Sequence, residues 1–547
     1  MFKNLLHVAH FDSQKDVALK PELSGLAVSD EVNKKRGGVE QLLFASGSFC
    51  YFGYFGDKKI IFSDPYGYEP VFYFYSEKNK KLYVSNRLPV LYGEIRKDNN
   101  LNIDSEIAWT HFNLNHPFFC SPFSSRQIAR GVRLLEPDQA LLIYGKGYKI
   151  KLKSEVFPHH YNVLDGLTYE SLLNKGIEKS VQDASLLMNS GCRYPVVSLT
   201  GGKDSRALLS IMVAAGLPIQ VYTKKTEHTP EDLEISAGLV KLLGLSWYEG
   251  DGRPQYEKNF DDALKKWSLY RSGQYFVAGI GQWETRGENN STIEFAGGGG
   301  EVLRTYWPRV AEHGIRMLIN KSKVSGAEAE YIDELVSILE EDEPDRLEAR
   351  KIYYSNNYFK FRNRFHFGAI GLRRTGGELN FHLLSNVYFK MARDKMKISD
   401  AESGKLIFDI VEKTMPFLNH IKYDGGRSWG SQMFKGGFYK KNLLLNIPEG
   451  DFEAWNRAEG KRKKRLSKAR SMYPRIEDYR SHVNEVMMSR HELYTSVIKD
   501  NVRGYQSILQ GSALRSSSLR LDYLIRLQAI SDVYFNDSFK EDDIVRC

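Results

Sequence analysis

A predicted strand, a glycine turn and a predicted helix follow one another directly between Tyr194 and Ala215, and this arrangement limits the possible folds. An apolar run at 194–197 leads into Ser-Leu-Thr-Gly-Gly-Lys-Asp-Ser at 198–205, and an apolar stretch follows at 207–215. The order predicts a buried strand, a tight turn and an amphipathic helix. Because the N–H groups of the turn and of the helix start point to one place, the segment predicts a polyanion site.

The residue types in this turn fit phosphate groups. Gly201 and Gly202 have no side chains, so the backbone can close around phosphate oxygens. Asp204 can hold a magnesium ion against the phosphates. Three hydroxyl side chains add hydrogen-bond donors: Ser198, Thr200 and Ser205. The spacing is not that of a Walker-type loop. The alternative interpretation is an exposed turn without a ligand.

A second glycine-rich turn follows another predicted strand. The segment Thr-Ile-Glu-Phe-Ala at 292–296, which predicts another buried strand, leads into four glycines at 297–300 and then Glu301. At the carboxyl end of a strand, Gly298 and Gly299 can pass close to a bound nucleotide. Glu301 would then face metal-bound phosphates from the side opposite Asp204. The alternative interpretation is a flexible loop.

A change in the pattern of predicted strands and helices along the chain predicts two domains. Short alternating strands separated by turns mark residues 1–160 as a β-rich domain. After a predicted linker near 157–160, residues 161–547 begin with alternating strands and helices over about 165–310. This alternation predicts a parallel sheet with its ligand at the carboxyl ends of the strands. The remainder is predicted to be mostly helical.

Composition indicates an enzyme of a reducing compartment. The net charge of +9 over 547 residues is mild, so it fits an anionic ligand such as ATP and does not indicate nucleic acid. Four cysteines lie far apart, which argues against a zinc site or a disulfide framework: Cys50, Cys120, Cys192 and Cys547. No apolar run reaches membrane-spanning length and no signal peptide is recognisable, so we expect a cytoplasmic protein without a membrane partner.

Three motifs together resemble the asparagine synthetase superfamily, which includes β-lactam synthetases and the cyclases of lasso peptides. They are the loop at 200–205, the acid-bearing helix at 231–245 and the turn at 297–301. The loop is similar to the Ser-Gly-Gly-x-Asp-Ser pyrophosphate loop of ATP pyrophosphatases, with Thr200 replacing the first serine. In the family's Gly-x-Gly-x-Asp-Glu motif, Glu301 would stand in for the aspartate, and Val302 departs from the second acid.

The N-terminal half is similar to the glutaminase domain of that superfamily. Gly-Ser-Phe at 47–49 and the run at 62–73 resemble its Gly-x-Phe and Arg-Asp-x-x-Gly-x-x-Pro-Leu-Tyr-Tyr motifs. Its chemistry needs a cysteine directly after the initiator methionine, where this chain has Phe2, and its first cysteine is Cys50. We therefore expect an inactive glutaminase-like domain, with the amine coming from the substrate or from a free partner.

The resemblance implies a fold for each half. Residues 1–160 would form an α+β sandwich of the Ntn-hydrolase type. Residues 161–547 would form an α/β pyrophosphate-loop (HUP-like) parallel sheet with a helical extension.

The resemblance also implies an activity. With ATP and Mg²⁺ as cofactors, an AMP-forming amide or lactam synthetase would adenylate a substrate carboxylate and let an amine capture it, as in peptide or natural-product maturation. Asp204 and Glu301 would bind the metal. A lysine that stabilises the transition states is assigned to Lys435, and three other cations are rivals: Arg427, Lys440 and Lys441. Three acids remain open as the general base: Glu284, Glu288 and Glu378.

Two other functions remain open. The chain could amidate a sugar acid or amino acid with free ammonia, or it could be a non-catalytic scaffold that binds nucleotide. The expected substrate is a small molecule or peptide with a carboxylate and an amine, and a cyclase would also need a partner protease or leader-peptide binder. The basic run at 461–475 is either a solvated face or a docking surface for an acidic partner.

Overall fold

A computed structural model describes the chain in segments, and every structural statement below concerns these residues. They are 8–12, 22–28, 38–102, 104, 106–107, 110–111, 114, 116–144, 147–189, 194–223, 231–248, 254–256, 272, 275, 284–286, 292–322, 336–337, 344, 346–368, 378–426, 428–430 and 433–434.

Nine strands of the N-terminal half form two antiparallel sheets. They are β1 (Val8–Asp12), β2 (Glu22–Val28), β3 (Ser46–Phe55), β4 (Lys58–Ser63), β5 (Phe72–Ser76), β6 (Lys81–Ser85), β7 (Arg133–Leu134), β8 (Gln139–Tyr144) and β9 (Gly147–Leu152). One sheet has the order β2-β3-β4-β8-β9 and the other β1-β6-β5-β7. Phe52 and Ile61 of the first sheet share a buried cluster with Tyr73 and Val84 of the second. Apolar side chains that alternate along each strand therefore hold the sheets face to face.

Four helical segments accompany these sheets, and the last two lead from β9 into the rest of the chain. They are a 3₁₀ turn (Val39–Phe44), α1 (Leu88–Asp98), α2 (Lys153–Val156) and α3 (Pro158–Asp165). The stretch at 157–160, which we expected to be a linker, is helical from Pro158 onward. Proline suits the first position of a helix because its missing N–H has no partner there in any case.

A five-stranded parallel sheet forms the centre of the second half. Its strands are β10 (Tyr194–Ser198), β11 (Gln220–Tyr222), β12 (Ser246–Trp247), β15 (Thr292–Phe295) and β16 (Glu378–Phe381), and a separate antiparallel pair is formed by β13 (Pro254–Tyr256) and β14 (Glu284–Arg286). The order is β12-β11-β10-β15-β16, and every neighbouring pair is parallel. β16 comes from the stretch that we expected to be mostly helical.

Helices follow most of these strands. They are α4 (Tyr169–Asn189), α5 (Lys203–Ala214), α6 (Glu231–Leu242), α7 (Pro308–Ser322, interrupted at Gly314), α8 (Leu347–Asn357), a π-helical turn (Tyr358–Arg362), α9 (Asn363–Phe367), α10 (Val387–Asp394), α11 (Ile398–Ser403), α12 (Lys405–Thr414) and 3₁₀ turns at Pro416–His420 and Asp424–Gly426. One buried cluster joins the sheet to these helices, including Val197, Ile293, Leu208, Phe389 and Ile410. The described chain is thus mixed α/β, with antiparallel sheets and a separate parallel sheet.

Local sequence patterns predicted the main elements of the second half. The predicted strand that begins at Tyr194, the helix after the glycine turn and the acid-bearing helix are each confirmed, at Tyr194–Ser198, Lys203–Ala214 and Glu231–Leu242. Gly244 lies two residues beyond the end of α6 and has φ +62°, as expected of a glycine that ends a helix. Within the described segments, none of the helices has the length and apolar character needed to cross a membrane.

Candidate functional site

The two glycine-rich segments lie at the same edge of the parallel sheet. β10 and β15 are neighbours in parallel register, with Val197 opposite Phe295. The chain leaves β10 into the loop 199–202 and leaves β15 into the turn 297–301. Ligands of parallel α/β sheets bind outside the carboxyl ends of the strands. The two motifs that we expected to form one site therefore emerge side by side.

The glycine-rich turn packs directly on the first turn of α5. A Cβ atom added to Gly297 would lie 2.9 Å from the Ser205 nitrogen, and one added to Gly300 would lie 2.4 Å from Cγ of Asp204. Gly299 has φ +91°, which other residues rarely adopt. Glycine is therefore required here for close approach of the two segments.

Most polar groups of the loop 199–202 already have partners. Ser205 Oγ accepts a hydrogen bond from the Thr200 nitrogen (3.1 Å), and Thr200 Oγ1 accepts one from the Gly202 nitrogen (3.2 Å). The Gly201 nitrogen donates to Asp232 Oδ1 at 2.6 Å. These bonds hold the loop in shape without a ligand. Gly202 occupies the N-cap position of α5 and has no side chain that could cap the first N–H groups of this helix.

Ser198, expected to bind phosphate, is occupied differently. Its hydroxyl donates to the Glu294 carboxylate on the neighbouring strand β15. The position of Ser198 at the last residue of β10 explains this contact, because its strand partner brings an acid within reach. The structure thus places Thr200, Gly201, Gly202, Asp204 and Ser205 in the loop and helix start, and leaves Ser198 bonded within the sheet.

The two acids expected to bind metal are brought together, with an arginine between the segments. Asp204 Oδ2 accepts from Arg304 Nη2 at 2.5 Å, and Arg304 Nε contacts the Gly300 carbonyl at 3.4 Å. Burial, followed by the nearby charge of Asp204, raises the pKa of Glu301 to about 7. The sequence analysis did not assign Arg304 to the site. Its position three residues after Glu301 could have indicated that it lies there.

The donor set fits Mg²⁺ that arrives with a nucleotide. Within the described part of the chain, no group of three or more His, Cys, Asp or Glu side chains could hold a metal ion. Mg²⁺ is usually bound by one or two carboxylates together with water and substrate phosphates. Glu301 Oε2 is buried and has no hydrogen-bond partner in the structure. Asp204 and Glu301 therefore suit the protein side of such a site, and Arg304 would compete for Asp204.

An aromatic cluster adjoins Glu301. Tyr306 stacks on Tyr358 with ring centroids 3.8 Å apart, and the Arg362 guanidinium lies 5.0 Å from the centre of the Trp307 ring. Three buried donor atoms in this cluster lack a partner in the structure: Trp307 Nε1, Tyr358 Oη and Arg362 Nε. Buried polar groups of native proteins are nearly always paired. The cluster could therefore give hydrogen bonds to an acceptor group of a ligand.

The segment 416–426 and Trp429 pack over the start of α5. Arg206 is fully buried and donates to the carbonyls of Ile421 and Lys422, at 2.7 Å each. Lys203 Nζ lies 3.6 Å from the centre of the Trp429 ring, and the Asp424 nitrogen donates to the Gly201 carbonyl at 3.0 Å. Asp424 thus contacts the loop 199–202, and Trp429 contacts the first residue of α5.

The acid-bearing helix also reaches this loop. Asp232 of α6 accepts from Gly201, and Glu231 Oε2 accepts from the Gly425 nitrogen at 2.9 Å. The third motif of the sequence therefore joins the other two. Asp232 and Glu231 therefore bind backbone N–H groups, which does not indicate a second metal site.

Several expected residues lie outside the described residues. They are Phe2, the candidate cations Lys435, Arg427, Lys440 and Lys441, the candidate base Glu288, and the basic run at 461–475. The candidate bases Glu284 and Glu378 lie on the strands β14 and β16.

No protein-family model matches this chain, and neither does any curated protein with which it was compared.

Proposed function

We propose that the chain is an ATP-dependent, AMP-forming synthetase that joins a carboxylate to an amine as an amide or lactam. One observation carries this proposal: Asp204, at the start of the helix after β10, packs against Gly300 beside Glu301, where the neighbouring strand β15 ends. A glycine loop, a helix start and two acids at one edge of a parallel sheet form a suitable site for a nucleoside triphosphate and its metal ion.

In this proposal the two halves have different types of fold. The face-to-face antiparallel sheets are a degenerate glutaminase-like sandwich of the Ntn type, and the parallel sheet is a HUP-like nucleotide domain in a cytoplasmic enzyme. The described cysteines, Cys50 and Cys120, are 0% and 6% exposed, and a buried thiol is a poor nucleophile. This supports an amine that does not come from glutamine.

The chain's own residues would mainly position charge. The backbone N–H groups of Lys203, Asp204 and Ser205 would face the departing pyrophosphate. Mg²⁺ held by Asp204 and Glu301 would neutralise charge on the phosphate oxygens. Positioning and fixed dipoles are the main contributions of proteins to such group transfers.

The aromatic cluster would receive the substrate carboxylate. Trp307, Tyr358 and Arg362 present N–H and O–H donors beside Glu301. A carboxylate oxygen would attack the α-phosphorus of ATP, the bond to pyrophosphate would break, and an acyl-adenylate would form. The amine nitrogen would then attack the acyl carbon, AMP would leave, and a base would take the ammonium proton. Lys435 remains the predicted cation for these transition states.

The test begins with nucleotide binding. We expect the full chain to bind α,β-methylene ATP with Mg²⁺ in isothermal titration. Asp204→Asn and Glu301→Gln should each weaken this affinity about tenfold, since each removes a charged ligand. Glu312→Gln, an exposed acid on α7, is the matched control and should bind as the wild type does.

Turnover is tested with the full chain, ATP, Mg²⁺ and a mixture of amino and carboxylic acids or peptides. Release of AMP and pyrophosphate that depends on a carboxylate supports the proposal, and release of ADP and phosphate contradicts it. Loss of one water from a single substrate identifies a lactam, whereas a product that requires added ammonium identifies the free-ammonia alternative. Binding without turnover identifies a scaffold. If the product is a cyclic peptide, a partner protease or leader-peptide binder becomes the next requirement.

A further inference from the structure

The turn after β4 projects two tyrosines from the N-terminal sheets toward the second half. The Asp64 carboxylate accepts hydrogen bonds from the nitrogens of Tyr66 (3.0 Å), Tyr68 (3.1 Å) and Glu69 (2.9 Å). One buried side chain therefore fixes the backbone on both sides of the tyrosines. Tyr66 and Tyr68 are 1% and 2% exposed, so they are held within the interface between the halves.

Tyr68 is connected to the glycine-rich turn through one serine. The Tyr68 hydroxyl lies 2.7 Å from Ser385 Oγ, and Ser385 Oγ donates to the Gly298 carbonyl at 3.3 Å. Because a serine hydroxyl has one hydrogen, Tyr68 must donate to Ser385 when Ser385 donates to Gly298. The three groups form a directional chain from the N-terminal half to the site.

Burial keeps the first member of this chain a donor. Burial raises the pKa of the Tyr68 phenol well above its ordinary value, with the Ser385 hydrogen bond acting in the opposite direction. The phenol therefore keeps its proton at any pH at which the protein would work.

The turn has no room to move away from this contact. A Cβ atom on Gly299 would lie 2.1 Å from Ser385 Oγ, and one on Gly298 would lie 2.5 Å from Nδ1 of His382. On its other side, Gly300 packs on Asp204. The turn is thus held between the loop 382–386 and the start of α5.

We propose that Tyr68 is a positioning residue for the nucleotide site and acts through Ser385 on the turn 297–301. The N-terminal half would then serve the synthetase chemistry directly, by fixing Glu301 opposite Asp204. This inference rests on the proposed function, because the site is called a nucleotide site only there. The hydrogen bonds from Tyr68 to Ser385 and from Ser385 to Gly298 are present without a nucleotide.

Other contacts hold the interface and provide a matched control. Arg364 of α9 donates to the carbonyls of Gly67 and Leu135, at 2.7 Å each. The Tyr66 hydroxyl contacts the carbonyls of Leu384 and Asn386, at 3.4 Å each. Tyr66 therefore touches the same loop from the same turn, but it has no bond to the residue that contacts Gly298.

The first measurement is hydrogen exchange of the nucleotide-free full chain. The Gly300 nitrogen donates to the Gly297 carbonyl and the Val302 nitrogen to the Gly299 carbonyl, at 3.2 and 3.0 Å. Tyr68→Phe should speed exchange at these two amides about fivefold, the usual effect of losing one neutral hydrogen bond. Tyr66→Phe should leave their exchange within twofold of the wild type, although both variants lower the melting temperature comparably.

The second measurement is the affinity for α,β-methylene ATP with Mg²⁺. Tyr68→Phe and Ser385→Ala should each weaken binding about fivefold. The double variant should be no weaker than Ser385→Ala alone, because both substitutions interrupt one chain. Additive losses, or an equal loss in Tyr66→Phe, would show a general effect of interface stability and would overturn the inference.

The two proposals fail in different ways. A wild-type chain that does not bind the analogue contradicts the proposed function, while the exchange experiment still decides the role of Tyr68. Unchanged exchange at Gly300 and Val302 in Tyr68→Phe contradicts the positioning role, whatever the chain binds.

Discussion

Arg304 Nη2 lies 2.5 Å from Asp204 Oδ2, and this ion pair links the turn after β15 to the first turn of α5. The two side chains are 30% and 17% exposed, so the pair is partly shielded from solvent. It places a positive charge beside two acids whose mutual repulsion would otherwise oppose the close approach of the segments. The same oxygen is one that a metal ion would use.

Arg304→Met should therefore change the response to Mg²⁺. Removing the guanidinium should lower the free energy of unfolding by about 1 kcal/mol, a value reduced for solvent screening. Added Mg²⁺ should raise the melting temperature of this variant more than that of the wild type, because the cation replaces the lost charge. Scanning fluorimetry with and without Mg²⁺ measures both effects. Equal shifts in the two proteins would show that Arg304 and Mg²⁺ do not compete, and exposed Arg316→Met is the control.

Gly300→Ala tests the close approach of the two segments. Its Cβ would lie 2.4 Å from Cγ of Asp204 and 2.6 Å from its Cβ, so the turn must move away from α5. We expect a loss of about 2 kcal/mol of stability and weaker nucleotide binding in titration. Gly93→Ala is the control, since nothing lies within 4 Å of its added Cβ in α1. This control should gain about 0.5–1 kcal/mol through helix propensity. A Gly300→Ala protein of wild-type stability would contradict the packing.

Arg206→Met tests the attachment of the segment 416–426. Arg206 is 0% exposed, and its guanidinium lies 3.6 Å from the centre of the Tyr423 ring as well as donating to three carbonyls. Leaving those carbonyls without donors should cost about 3 kcal/mol. Limited proteolysis should show new cleavage at 416–426 before cleavage at the other described segments. Arg206→Lys should not restore protection, because an ammonium cannot match the planar fork. Uniform cleavage along the chain would contradict a local role.

His116 should make stability depend on pH below neutrality. Burial, followed by the charge of Arg362, lowers the pKa of His116, and its Nδ1 accepts from the Phe118 nitrogen at 3.2 Å. The unfolded chain, with an ordinary histidine pKa of about 6.5, takes up a proton first as the pH falls. The free energy of unfolding should therefore decrease as the pH drops below that value.

The matching variant is His116→Asn, whose amide oxygen can replace Nδ1 as acceptor. Urea unfolding at several pH values should give this variant a flatter dependence than the wild type. The exposed residue His313 provides the control, since His313→Asn should keep the wild-type slope. An unchanged slope in His116→Asn would contradict the assignment.

Local patterns predicted the segment around Asp204 well because strand, turn and helix signals there are contiguous. The location of both glycine turns at one edge of the sheet was also predictable, since the carboxyl ends of parallel strands meet at the same edge. Ser198 is a case that local patterns did not predict. Its hydroxyl suits phosphate, but it donates a hydrogen bond to Glu294 on the neighbouring strand. That contact depends on a register no local pattern contains.

Contacts between residues that are distant along the chain could not be predicted from local patterns for the same reason. β16 is a four-residue strand in a stretch whose neighbours are helical, and it is defined by pairing with β15. Arg304 contacts an acid 100 positions away. Tyr68 lies in a motif assigned to the glutaminase resemblance, and nothing in its own surroundings indicated Ser385. Such contacts follow only from the packing of both halves.

The hydrogen bond between Tyr68 and Ser385 joins residues 317 positions apart, and this distance along the chain has a consequence during synthesis. At a ribosomal rate of about 5–20 residues per second, roughly 16–60 s separate the emergence of the two residues. Throughout that interval the turn carrying Tyr66 and Tyr68 has none of its partners from the loop 382–386. The nascent N-terminal half therefore presents an uncovered aromatic surface, and chaperone binding to this surface on stalled ribosomes should end once residues beyond 386 have emerged.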